Sequence, residues 1–195
     1  QKLTSYDNSA VNWGAVTSCA WYAVMKRDFV AGEYVWTGFD YIGEPTPWNG
    51  TGKGAQGTWP SPKNSYFGII DTAGFPKDSY YFYQSQWNDE VNTLHILPAW
   101  NEDAVKKDSS GKVPVVVYTD AKKVELFFTD AKTGDKKSLG TKEFTQKQSN
   151  TQGYTYQYYE GTDKSGTEHK NLYLTWQVPY KAGTISAVAY GQDGQ

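Results

Sequence analysis

Cysteine is nearly absent: Cys19 is the sole one in 195 residues, so no disulfide can close within the chain. Histidine is almost as scarce, and two histidines with one cysteine cannot build an all-nitrogen-and-sulfur tetrahedral metal site. Structural zinc is thereby excluded, and no metal or cofactor is expected. Arginine occurs only as Arg27 and the net charge is −2, whereas a surface that tracks phosphates needs clustered cations; nucleic acid is a poor partner. No run approaches the roughly 18 apolar residues of a membrane span. The first residues also lack a charged-then-apolar export pattern, so the reading is a soluble piece with no membrane insertion. Aromatic residues, in contrast, are abundant: eight Trp, sixteen Tyr and eight Phe make 16% of the chain, too many for disorder despite a mean hydropathy of −0.70. The length suffices for one large domain or two small ones. A surplus of tryptophan and tyrosine over arginine points to neutral ligands.

Composition divides near residue 100. Seven of the eight tryptophans lie in the first hundred residues and thirteen of the nineteen basic residues after them, which suggests two domains. In the first half, Asp7 or Ser9 can cap a helix whose apolar positions are Val11, Ala15, Cys19 and Tyr22, with Lys26 and Arg27 suiting its negative end. Phe29 to Trp36 is a short, nearly continuous apolar run, the pattern of a strand buried on both faces as in parallel sheets. Residues 42–62 carry so many Gly and Pro that a long loop is expected, displaying Trp48 and Trp59. Tyr66 to Ile70 reads as a second apolar run. Pro76 then suits a first helical turn, and Tyr80, Tyr83 and Trp87 mark the face of a second helix. After residue 100 the period becomes two, at Val115/Val117, Val124/Leu126/Phe128, Tyr154/Tyr156/Tyr158, Leu172/Leu174/Trp176/Val178 and Ile185/Ala187/Ala189. Five to seven short strands in that length fit an immunoglobulin-like β-sandwich, though without the Cys…Trp…Cys hallmark. The fold class is therefore α/β followed by all-β.

Chemistry-bearing residues cluster past the first apolar run. Glu33, Asp40 and Glu44 lie amid Trp36, Phe39, Tyr41 and Trp48, a mixture in which rings stack on sugars while carboxylates bind hydroxyls. A retaining glycosidase needs two carboxyls about 5–5.5 Å apart, and Asp40 with Glu44 could be nominated; solvated or turn-capping carboxylates fit the spacing equally. The Gly50-Thr51-Gly52-Lys53-Gly54 stretch lacks phosphate-loop spacing and reads as a flexible loop. His95 and His169 have no partner serine or cysteine in a nucleophile motif and read as structural. Cys19 reads as a small buried hydrophobe. The tyrosines at 154, 156 and 158 are explained by a sandwich core, with a ligand face as the alternative.

The run Gly32-Glu33-Tyr34-Val35-Trp36-Thr37-Gly38-Phe39-Asp40-Tyr41-Ile42-Gly43-Glu44-Pro45-Thr46-Pro47 resembles glycoside hydrolase family 2 β-galactosidases, and Tyr66 to Asp78 with Tyr81 to Trp87 extends the likeness. It is strongest to the large, surface-attached enzymes of Gram-positive bacteria. The resemblance implies that residues 1–97 are the C-terminal part of a TIM (β/α)8 catalytic barrel: helix 7 at 7–27, strand 8 at 29–36, a loop, and helix 8 at 76–87. Residues 98–195 would be the immunoglobulin-like β-sandwich that follows, with Lys137-Ser138-Leu139-Gly140 as a turn. A full barrel takes about 250 residues. The family's acid/base and nucleophile glutamates, which follow its fourth and seventh strands, would precede Gln1, so this chain holds no catalytic residue and is expected to be inactive alone. Trp36 matches the family's galactose-packing tryptophan. Asp40 and Glu44 would orient its turn or reach hydroxyls, and Trp48 and Trp59 would line the acceptor side. The implied partners are a terminal β-galactoside and the remaining barrel segment, and the implied location is extracellular or cell-wall attached, in a bacterium. The alternative is a non-catalytic carbohydrate-binding or adhesion module that uses the tryptophans as a platform.

Overall fold

The computed structural model describes residues 4–6, 9–11, 13–43, 64–148, 155–159 and 172–191. In chain order its elements are helix α1 (Thr17–Met25), the short strands β1 (Tyr41–Ile42) and β2 (Asn64–Ser65), helix α2 (Asp78–Trp87) and strand β3 (Leu94–Leu97). There follow β4 (Lys112–Thr119), β5 (Lys123–Asp130), β6 (Lys136–Glu143), β7 (Thr145–Gln148), β8 (Thr155–Tyr158), β9 (Leu174–Pro179) and β10 (Gly183–Tyr190). All named strand pairs are antiparallel.

Two three-stranded sheets, ordered β3-β4-β9 and β10-β5-β6, bury a core of Val115, Val117, Val124, Leu126, Leu174, Trp176 and Val178 between them. This core follows from the period-two pattern, since alternate residues share a face. β4 is the pivot of the molecule. Its odd positions, Val115 and Val117, enter the inter-sheet core, while Val116 and Tyr118 face the other way into a second cluster. That second cluster holds Tyr22 of α1, Phe82 and Tyr83 of α2, Leu97 of β3 and Tyr156 and Tyr158 of β8. The molecule is thus layered as helices, sheet, sheet, and each large side chain sealed between layers contributes about 1.5–3 kcal/mol. Of the tyrosine stripe, Tyr156 and Tyr158 belong to this helix-facing core rather than to the one between the sheets, Tyr22 meeting Tyr156 edge-on at 6.1 Å, while Tyr154 lies outside the described residues.

Several expectations change. α1 begins at Thr17 behind Val16, with no side-chain cap; Ser9 Oγ donates instead to Tyr6 O at 2.6 Å, and Asp7 lies outside the described residues. The turn at Trp13–Gly14, with Gly14 N donating to Val11 O at 3.0 Å, ends any earlier start. Its buried face is Ser18, Tyr22 and Val24, leaving Ala15 exposed and Cys19 only half-buried. α2 starts two residues after Pro76, with Asp78 in its first turn, where a carboxylate suits the helix dipole. Residues 29–36 form no strand, and Phe29 and Tyr34 stand in solvent, Tyr34 fully at 104% exposure. A parallel strand exists only through hydrogen bonds to a neighbour, and among the described residues none lies beside this run. The Lys137–Gly140 stretch is not a turn but the middle of β6. There Leu126 pairs with Gly140 and Phe127 with Ser138, so Leu139 is an extra residue at a bulge and Gly140 takes φ +98°. β3, which a division after residue 97 would leave on the helical side, hydrogen-bonds to β4 from Leu94↔Thr119 to Leu97↔Val116.

Candidate functional site

Residues 36–41 cross residues 64–70 as two extended segments bound backbone to backbone. Thr37 N donates to Phe67 O (3.3 Å), Ile69 N to Thr37 O (3.0 Å), Ile70 N to Gly38 O (3.0 Å) and Asp40 N to Ile70 O (2.9 Å). β1 and β2 add a short antiparallel pair, Tyr41↔Ser65 and Ile42↔Asn64, to this parallel contact. The crossing is so close that a Cβ on Gly68 would stand 2.1 Å from Asp40 N and 2.3 Å from Phe39 C, which only glycine allows. Trp36 emerges at the head of this crossing, 72% exposed, before a cis Trp36–Thr37 peptide. Its Nε1–H donates to Tyr41 Oη at 3.2 Å, and the two rings sit edge to face with centroids 6.4 Å apart. An indole fixed at one corner and open over most of its surface has the geometry to stack on an apolar face.

Beneath it the polar groups are consumed by structure. Asp40 Oδ1 accepts from Lys77 Nζ and from Gly68 N, both at 2.8 Å, with the two side chains only 3% and 1% exposed. Lys77 Nζ also donates to Tyr66 O at 3.3 Å and lies over the Tyr6 ring, while its backbone N donates to Ile69 O at 2.8 Å. Thr4 Oγ1 donates to the same Tyr66 carbonyl. A charged pair taken out of water is tolerated when its remaining lone pairs and protons are used in this way. Asp40 is thus enclosed, with its carboxylate turned to Lys77 and Gly68, and this buried position offers no oxygen to a sugar hydroxyl.

Glu33 is half-buried, and desolvation pushes its carboxyl above the usual range, opposed in part by a hydrogen bond from the Tyr83 hydroxyl. Burial, and next the Glu33 charge, push that hydroxyl up in turn. His95 Nε2 meets Asp78 Oδ1 at 2.7 Å, and its ring stacks on Tyr81 at 4.1 Å, so it ties β3 to α2 as a structural group. Among the described residues no three of His, Cys, Asp and Glu gather where a metal could sit, and no helix is long and apolar enough to cross a membrane.

Of the five residues singled out as substrate-binding, Trp36 and Asp40 share one turn, while Glu44, Trp48 and Trp59 lie outside the described residues, as does His169. Sequence reasoning passed over Lys77, Gly68 and the hydrogen-bonding role of Tyr41. A lysine directly after an apolar Gly-Phe-Pro was the available signal for the first.

Residues 110–195 match a family model described as a domain of unknown function, DUF4982. The chain is 35% identical over 186 residues to the beta-galactosidase BoGH2A of Bacteroides ovatus, covering 95% of this chain and 17% of that protein. It is 35% identical over 189 residues to a Formosa agariphila protein named "Putative beta-glucuronidase", covering 96% of this chain and 14% of the relative. Among solved structures, a beta-glycosidase from Bacteroides vulgatus superposes with TM-score 0.60 at 29% identity, covering 97% of this chain and 18% of that one. The chain therefore spans less than a fifth of the length of these relatives.

Proposed function

We propose that this glycoside hydrolase family 2-like chain is the carboxyl-side end of a catalytic (β/α)8 barrel with the β-sandwich that follows it, from a retaining β-galactosidase. In this reading the parent protein hydrolyses terminal β-galactosides through a galactosyl-enzyme intermediate. The acid/base and nucleophile glutamates come from the part of the parent outside this chain. The chain supplies one wall of the sugar subsite. Residues 29–36, which form no strand in this chain, would take the place of the eighth barrel strand only beside the strands of the remaining barrel segment, and the sandwich is immunoglobulin-like. The exposed apolar side chains of Phe29, Tyr34, Phe39 and Ile42 are covered by the remaining barrel segment.

The observation that carries the reading is Trp36: an exposed indole on a turn locked from below, in a chain whose whole described length is similar to glycosidases. Galactose offers an apolar C–H face, and a rigid ring covers it at little entropic cost. The choice of galactoside over the glucuronide suggested by the Formosa relative's name follows the resemblance of residues 32–47 to β-galactosidases and the similarity to the Bacteroides ovatus beta-galactosidase. The test is hydrolysis of chromogenic β-galactoside and β-glucuronide by the full-length protein and its Trp36→Ala variant. A galactoside preference, with kcat/KM lowered about 10- to 100-fold by the substitution, supports the reading. Preference for the glucuronide redirects the specificity, and no turnover of either leaves a carbohydrate-binding module.

A further inference from the structure

The Trp36 ring has few contacts of its own: it is mostly in solvent and hydrogen-bonds Tyr41. What fixes its place is the crossing beneath, and there the bonds converge on one side chain. Lys77 reaches residues 66–70 twice, by Nζ to Tyr66 O and by its backbone N to Ile69 O, and reaches residues 36–41 through Asp40. Asp40 Oδ1 returns the tie by also accepting from Gly68 N. One carboxylate oxygen holding two donors at 2.8 Å fixes direction as well as distance, which an apolar pair of the same volume would not do. Two charges sealed from water are also an expensive way merely to fill space.

We propose that Asp40 and Lys77 are positioning residues for ligand binding: the buried pair sets where the Trp36–Tyr41 ring pair stands, so affinity at the sugar subsite is governed from below it. The inference rests on the reading of Trp36 as the stacking residue. Neither group touches the sugar, and removing the pair loosens the platform without removing any ring.

A single replacement strands a buried charge and lowers stability by itself, so the informative change in the full-length protein is the double variant Asp40→Asn with Lys77→Met. Three readouts separate positioning from scaffolding: the melting temperature, the indole N–H resonance of Trp36 identified by its loss in Trp36→Phe, and KM against kcat on an aryl β-galactoside. The expected result is a folded double variant with a shifted or broadened Trp36 resonance. KM should rise about tenfold with a smaller change in kcat, and adding Trp36→Ala should cost little more, because the two changes act through one ring. A folded double variant with an unmoved resonance and unchanged KM overturns the proposal. If the double variant does not fold, Asp40→Glu keeps the charge but displaces the carboxylate by one methylene; an unmoved resonance there overturns it equally. If Trp36→Ala itself leaves KM unchanged, the fault lies with the sugar-platform reading, and the resonance alone then decides whether the pair positions the ring.

Discussion

Single side chains in this molecule are best understood by what their polar atoms are already doing. Asp130, at the end of β5, accepts from Lys132 N at 2.8 Å and Thr133 N at 3.3 Å and pairs with Lys181. These partners, Lys181 foremost, hold its carboxyl at about 2, below the ordinary 3.8. A carboxyl depressed by folding adds stability above its unfolded value and loses that contribution as pH falls through the folded one. Asp130→Asn should therefore lower the urea midpoint at pH 7, and the deficit should shrink between about pH 4 and pH 2 until the curves meet; a deficit constant across that range would show that charge is not the cause. Trp36 was nominated by the motif that resembles the glycosidase family, since residue type alone sets it beside Phe39, Tyr41 and Trp48 without choosing among them. Asp40 was legible as a member of the site but not its use, since residue type does not say whether a carboxylate faces water or a lysine 37 positions away.

Segments, in turn, were readable in proportion to how much of their structure is local. β4, β5, β9 and β10 follow from alternation alone, and the Thr133-Gly134 turn from a glycine at φ +74°. β6 was missed because an edge strand rich in lysine carries no apolar alternation, and its bulge at Leu139 breaks what pattern there is. Residues 29–36 form no strand here for the opposite reason. Their composition is that of a buried parallel strand, but the partner strands that would make it one are not among the described residues. The crossing of 36–41 over 64–70 was invisible beforehand, because it depends on the missing side chain at Gly68. Gly68→Ala forces a Cβ into backbone at 2.1 Å and should cost about 3 kcal/mol, read as a fall of roughly 6–12 °C in melting temperature. A melting temperature within 2 °C of the parent, about the effect of half a kcal/mol, would mean that the two segments part easily.

For the molecule as a whole the telling feature is unequal finish. Among the described residues, Phe29, Tyr34, Trp36, Phe39 and Ile42 are all exposed within one segment of the first half, whereas in the sheets the exposed large hydrophobics are Leu94 and Val188. Proteins in water seldom expose so many large apolar side chains in one short segment without a use for them. The chain prepared alone should bind a hydrophobic dye and self-associate with rising concentration, and Tyr34→Ser with Phe39→Ser should reduce both. A monomer that binds no dye at about 100 µM would argue that nothing further is needed to cover this side. The helices and the first sheet, by comparison, cannot be treated as separate parts. His95 clasps Asp78 while lying flat on Tyr81, and the tyrosine cluster spans both. A gene cut between residues 88 and 93 would halve a common interior rather than sever a tether. The smallest piece that can be transplanted into a relative is accordingly the sandwich with both helices still attached, because Tyr22 of α1 shares that interior, and a chimera joined after α2 should express poorly however well the graft is aligned.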